Sequence, residues 1–146
     1  MIILDTGVIS ETQKKVPDDA VMDWLNAQDP TNLFLSAITA AELIFGVQAM
    51  PEDKRRDGLM EAVTAILEED FSGRILPFDG AAARIYGARV AVACQQGYAI
   101  SIADGQIASI ALSRPGAMVA TRDPMPFMAL GVDVLDPWAL GGPKRR

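Results

Sequence analysis

Short apolar runs alternate with longer stretches of helical periodicity along this chain. Ile2 to Leu4 is an apolar run that ends at Asp5 and predicts a buried strand. Pro17, Asp18 and Asp19 suit a helix start, because proline fits the first turn and acids offset the helix dipole there. That helix runs to about Gln28 and stops at Asp29-Pro30. Leu33 to Ser36 reads as a second strand. A helix follows from Thr39 to about Met50, and Pro51 restarts another that reaches about Asp70. Arg74 to Phe78 predicts a third strand. Asp79 is placed to cap a long helix that ends near Gly97, where glycine can take the left-handed conformation that stops a helix. Ser101 begins the next helix, which ends near Ser113 before Pro115-Gly116. Ala117 to Thr121 predicts a fourth strand and Val132 to Leu135 a fifth. Short apolar strands alternating with helices predict an α/β domain on a parallel sheet.

Composition narrows the chemistry. The chain has 146 residues, half of them hydrophobic, which suits one globular domain with its own core. We expect that domain over residues 1–140, with GGPKRR at 141–146 as a flexible basic tail. Cys94 is the sole cysteine, so no internal disulfide is possible and a reducing compartment is expected. No basic segment precedes an apolar core at the N-terminus, and Arg84 and Arg89 interrupt the longest apolar stretch. A cytoplasmic protein without a membrane span is the expectation. The net charge of −6 counts against a general nucleic-acid binder, which carries a basic face. It does not count against a nuclease that lets bound cations meet the phosphate. There is no histidine, which removes Ser–His–Asp triads, Cys–His pairs and His-ligated zinc.

Four acids fall where a parallel sheet gathers its ligands, outside the carboxyl ends of the strands. Asp5 ends the first strand and Asp123 follows the fourth, while Glu42 and Asp104 are expected in the first turns of helices that follow short loops. Crowded carboxylates repel and call for a hard divalent ion; oxygen-only ligands suit Mg²⁺ or Mn²⁺. Each acid also has a purely structural role open to it. Thr39-x-x-Glu42 and Ser101-x-x-Asp104 both fit a capping box. Asp5 suits a helix cap or turn, and Asp123 before Pro124 suits a turn. Spacing alone leaves both readings standing.

The local contexts of these acids add a resemblance. The segments ILDTGVIS, LSAITAAELIFGV, ISIADGQIASIAL and VATRDPMPF, in that order, resemble the four signature blocks of PIN domains. The group most like this chain is the VapC/FitB-like toxins of bacterial type II toxin–antitoxin modules. GRILPFD and the closing GVDVLDPW resemble that group too, so the likeness runs from Met1 to about Trp138. It implies a central parallel sheet of four to five strands flanked by helices, and Mg²⁺- or Mn²⁺-dependent cleavage of RNA. It implies Asp5 and Asp104 as metal ligands, Glu42 as a ligand or a residue that positions one, and Asp123 as a variable fourth member. Thr6, Ser101 and Thr121 match polar positions that support such sites. An antitoxin from the neighbouring gene, a homodimer, and contact with DNA only through the antitoxin are implied as well. Gly7 departs from the pattern, since the family usually has Asn or another small polar residue there. Prolines 124 and 126 are expected to stiffen a loop that holds Asp123.

Other residues have competing uses. Arg122, beside Asp123, is a candidate RNA contact because a guanidinium suits phosphate oxygens. Lys54, Arg55 and Arg56 read as a solvated face paired with Glu52, Asp53 and Asp57. Trp24 and Phe45 are expected in the core or an interface, Cys94 as a buried inert thiol, and Tyr86, Val90 and Ala93 on one helix face in the core or at a partner contact. Two further functions compete. Asp5-Thr6-Gly7 matches the triplet of a dimeric aspartic protease, although most of this chain reads as helix. A PIN-like fold with a weakened site, acting through protein partners, is the other, and Gly7 is its main support.

Overall fold

The computed structural model describes residues 1–140; the basic tail expected at 141–146 lies outside them. In chain order the elements are β1 (Ile2–Leu4), α1 (Thr6–Thr12), α2 (Asp19–Ala27), a 3₁₀ turn (Pro30–Asn32), β2 (Leu33–Ser36), α3 (Ala37–Gln48) and α4 (Lys54–Ala65). A π-helical turn (Ile66–Asp70), β3 (Ile75–Leu76), α5 (Gly80–Gln95), α6 (Ile102–Leu112), β4 (Met118–Ala120), α7 (Met125–Ala129) and β5 (Asp133–Leu135) complete them. The five strands form one parallel sheet in the order β3-β2-β1-β4-β5. The chain builds outward from β1 to β3, then returns to the other side of β1 with β4. The crevice between the carboxyl ends of β1 and β4 is therefore the topological switch point, where such sheets bind ligands.

Alternation along β1 divides the core. Ile2 and Leu4 face a cluster with Val8, Ile9, Val21, Leu43, Val47 and Val63, contributed by α1 to α4. Ile3 and Val119 face the other cluster, with Ala82, Val90, Ile107, Ala111 and Phe127 from α5 to α7. Both sheet faces are covered, which is why the strands read as continuous apolar runs.

Side-chain caps set several helix starts. Asp79 accepts from the Ala82 N–H at 3.0 Å and starts α5, and Gly97, at φ +92°, lies just beyond its end, as the sequence indicates. Asp18 accepts from Ala20 N–H at 2.9 Å, so α2 begins at Asp19 and not at Pro17. The helix expected from Pro51 begins instead at Lys54, after Asp53 accepts from the Arg56 N–H, and α4 gives way to the π turn at Ile66. The third helix starts two residues earlier than Thr39. Ser36 is its cap, accepting from Thr39 N–H at 3.1 Å, because its side chain is the first free oxygen after β2. Two helices have no counterpart in the sequence reading. α1 begins directly after β1, and α7 occupies the proline-rich segment expected as loop, with Pro126 tolerated in its first turn.

The core places other residues as well. Tyr86, Val90 and Ala93 pack inward, and Trp24 lies against the first cluster. Phe45 is 74% exposed, and Cys94 is exposed, not buried, because it lies on the outer side of α5. Of the basic cluster, Arg56 pairs with Glu52 at 3.6 Å.

α5 and α6 pack closely at Gly105, the residue after Asp104. A Cβ there would lie 2.8 Å from Tyr86 Cε2 and 3.1 Å from Val90 Cγ2, and the Tyr86 ring is held edge-on by Phe78. Overpacking costs about 1–3 kcal/mol, against about 1 kcal/mol gained from replacing a helical glycine by alanine. We predict that Gly105→Ala lowers stability by up to about 2 kcal/mol in urea denaturation, since the pinned ring cannot yield freely. An unchanged or higher midpoint would contradict this packing.

Candidate functional site

Asp5 is the residue that β1 delivers to the crevice. Its backbone N–H donates to Ala120 O at 2.9 Å, continuing the ladder one step beyond the strand. Its side chain then turns back to cap α1, where Oδ1 accepts from the Thr6 N–H at 2.8 Å. Oδ2 accepts from the Thr121 hydroxyl, also at 2.8 Å. Thr121 is itself fully buried, and its own N–H donates to Leu135 O at 2.9 Å on β5. Three neighbouring strand ends thus hold one carboxylate.

Hydroxyls join this group to α3. The Thr6 hydroxyl donates to Glu42 Oε1 at 2.8 Å and lies 3.0 Å from the Thr39 hydroxyl. The buried Ser36 hydroxyl donates to Thr39 Oγ1 at 3.4 Å. Glu42 lies in the second turn of α3 and not the first, because the helix starts at Ala37, so the capping box suggested for Thr39 and Glu42 is absent. The third acid arrives on α6. Ser101 caps that helix by accepting from the Asp104 N–H at 3.1 Å, which puts Asp104 in the first turn as the sequence indicates.

These positions have an electrostatic signature. Burial pushes the Asp5 carboxyl above its ordinary 3.8. Hydrogen bonds from Thr121 and Thr6 oppose that shift, while the charges of Asp104 and Glu42 add to it. Glu42 and Asp104 are therefore near enough for their charges to act on Asp5. Asp123 is attached less directly. Its N–H donates to Thr121 Oγ1 at 3.1 Å, but its side chain is exposed and is not among the charges acting on Asp5.

The donor set fits a hard cation. All its atoms are oxygens, Asp5 is half-buried, and the charges that act on it are negative. Among the described residues no three acids form a ready clasp for one ion. That arrangement still suits Mg²⁺, which keeps several waters and binds through one or two carboxylates.

Comparison with known proteins places the fold in a family. Residues 2–129 match the PIN domain family. This chain belongs to the PIN-domain family. The PIN domain here is 49% identical over 138 residues to the VapC ribonuclease Y4jK of Sinorhizobium fredii, covering 94% of this chain and 98% of that protein. It is 41% identical over 138 residues to the toxin FitB of Neisseria gonorrhoeae, covering 94% and 99%. Its fold superposes with a TM-score of 0.90 on a chain in the crystal structure of FitAcB from Neisseria gonorrhoeae, at 41% identity, covering 96% of this chain and 100% of that one.

Several contacts around these acids and hydroxyls escaped the sequence reading. Thr39 reads as a cap but serves as a buried hydroxyl link. Glu11 and Trp138 gave no chemical signal at all. They meet across 127 positions, with the Trp138 indole N–H donating to Glu11 Oε1 at 3.1 Å. Arg122 stacks on the Trp138 ring, its guanidinium carbon 5.2 Å from the centroid. Gly7 is exposed and has open space around it, and the Asp5 hydrogen bonds come from Thr6 and Thr121.

A raised carboxyl pKa has a defined sign for stability. The folded PIN domain keeps the Asp5 proton over a range where the unfolded chain has lost it. The stability from this group is present below about pH 3.8 and is lost as pH rises through the raised value. We predict that Asp5→Asn, which keeps a good cap without the charge, melts at a higher temperature than wild type at pH 7 in EDTA. The gain should shrink as pH falls toward 4. A lower melting temperature for the variant at pH 7 would mean that the ionised form is not disfavoured.

Proposed function

We propose that this PIN domain is a metal-dependent endoribonuclease that acts as the toxin of a type II toxin–antitoxin module. The observation that carries the reading is the half-buried, hydrogen-bonded Asp5 carboxylate, confronted by the charges of Glu42 and Asp104 at the topological switch point. The likeness to a VapC ribonuclease and to the toxin FitB supports the activity and the role.

The residues divide the work. Asp5 and Asp104 would hold Mg²⁺ or Mn²⁺ as ligands, and Glu42, which accepts from Thr6, would be a third ligand or would position one. Asp123 would join them as an outer member when substrate is present. Thr121 and the Thr6 N–H fix both oxygens of Asp5, so this ligand is oriented before anything binds. Ser101 fixes the helix turn that carries Asp104. A bound Mg²⁺ or Mn²⁺ would neutralise the acids, acidify a water and offset charge on the phosphoryl oxygens. Hydrolysis then adds water across a phosphodiester P–O bond, and the leaving oxygen takes a proton. No 2′-hydroxyl nucleophile is needed, so the products carry no 2′,3′-cyclic phosphate.

The fold conflicts with the protease reading. An Asp-Thr-Gly aspartic protease is nearly all β, whereas Asp5-Thr6-Gly7 here joins a parallel strand to a helix. The weakened-site reading keeps Gly7 as its main support, and it differs from the nuclease reading in predicting no RNA cleavage by the folded chain. A cognate antitoxin is the proposed partner, in keeping with the likeness to a chain of FitAcB, and any contact with DNA would run through it. A homodimer is also proposed. A cytoplasmic location is in keeping with the absence, among the described residues, of any helix long and apolar enough to cross a membrane.

The test is cleavage of a single-stranded RNA by the purified chain with Mg²⁺, with Mn²⁺ and with EDTA. We predict cutting only with a divalent ion. Asp104→Asn should lose more than the roughly 100-fold that the loss of a supporting side chain can cost. Cutting in EDTA, or cyclic phosphate ends, would overturn the mechanism.

A further inference from the structure

Arg122 is the cation that the fold places nearest in sequence to the acid site. It directly follows Thr121, which bonds Asp5, and directly precedes Asp123, which bonds Thr121. Among the described residues the ion pairs are Lys14–Glu11 and Arg56–Glu52, so Arg122 is not tied to a carboxylate. Its guanidinium lies over the indole of Trp138 instead. A guanidinium held over a ring by a cation–π contact spends no N–H on a carboxylate, so its fork of donors can meet phosphate oxygens.

Trp138 is held firmly for a residue so near the end of the described chain. The Asp136 side chain accepts from its backbone N–H at 2.9 Å. Its ring packs against the core that holds β1 and α1, and its indole N–H donates to Glu11. Glu11 is only 5% exposed and pairs with Lys14 at 2.8 Å. Lys14 and the indole N–H hold the Glu11 carboxyl below its ordinary range against the effect of burial. A buried acid is thus retained where an apolar residue would pack without cost, and its chain-distant partner is the indole.

We propose that Trp138, anchored by Glu11 and Asp136, is a positioning residue that presets Arg122 as a clamp for a substrate phosphate beside the acid site. The proposal rests on the nuclease reading. In a chain of net charge −6, one oriented guanidinium on the residue next to Thr121 would offset repulsion of the RNA backbone. Stacking also removes freedom that the side chain would otherwise lose on binding.

The test compares wild type, Arg122→Gln, Trp138→Leu, Trp138→Phe and the Arg122→Gln/Trp138→Leu double variant. The probe is a fluorescein-labelled single-stranded oligoribonucleotide, followed by anisotropy in EDTA across salt concentrations and by cleavage in Mn²⁺. Arg122→Gln should weaken binding and reduce the salt slope by about 0.7, the single-strand value for one phosphate contact. Trp138→Leu should weaken binding about two- to fivefold, as expected for loss of an exposed cation–π contact. It should raise KM and leave kcat nearly unchanged. Trp138→Phe keeps an aromatic ring but loses the bond to Glu11, so it should recover only part of that loss, and the double variant should be no worse than Arg122→Gln alone.

Wild-type affinity in Trp138→Leu, or losses that multiply in the double variant, would overturn the clamp. A wild-type chain that neither binds nor cuts RNA would overturn the nuclease reading itself. Should Trp138→Leu fold poorly, the indole N–H resonances of the two tryptophans give a second measurement. RNA titration and Arg122→Gln should each shift the Trp138 signal and leave that of Trp24 in place. A Trp138 signal that stays still in both would also overturn the clamp.

Discussion

A half-buried carboxylate at the end of the central strand is the constraint around which this site is arranged. A buried acid costs free energy unless it is protonated, hydrogen-bonded or matched by a cation. Asp5 has hydrogen bonds on both oxygens, yet Glu42 and Asp104 bring more negative charge toward it. A structure built only for stability would have placed a neutral or apolar residue there. The parallel sheet sets the geometry, because its middle strand must end between neighbours that end beside it. Thr121 is one step past β4 and reaches Asp5 for that reason.

The two faces of the sheet contribute differently. On one side α1 and α3 bring Thr6, Thr39 and Glu42 into a chain of hydroxyl and carboxyl contacts. On the other, α6 brings Asp104, and its approach to α5 depends on Gly105 having no side chain. Asp104 therefore answers to core packing one residue away. Loops alone would not hold such a set in register; the helices do so because both faces of the sheet are buried against them.

Much of this was legible in the sequence, and the reasons for the failures are physical. Leu33–Ser36, the cap at Asp79 and the stop near Gly97 follow from local chemistry, which a sequence displays directly. The carboxyl-end position of Asp5 follows from the alternation of strands and helices, and the first-turn position of Asp104 follows from its cap at Ser101. Helix α1 was missed because Asp5 serves at once as strand end, cap and site acid, leaving no separate start signal. The start of α3 was misplaced because Ser36 and Thr39 are equally good caps on paper, and the extent of β2 decides between them. Asp123 follows β4 as expected, but the turn leading into α7 leaves its side chain exposed. Cys94 looked buried because α5 is rich in Ala and Val on its outer side as well as its inner one. Glu11 and Trp138 meet only in three dimensions, so no local pattern announces them.

The central claim is that these carboxylates converge to hold a divalent cation, and calorimetric titration of Mn²⁺ into the purified full chain tests it most directly. Wild type and an Asp104→Asn variant of equal helicity would be titrated side by side. The account predicts saturable binding by wild type, abolished or greatly weakened in the variant. Absence of binding by the well-folded wild type, or equal binding by both proteins, would contradict it and leave Glu42 and Asp104 as surface acids on a PIN fold.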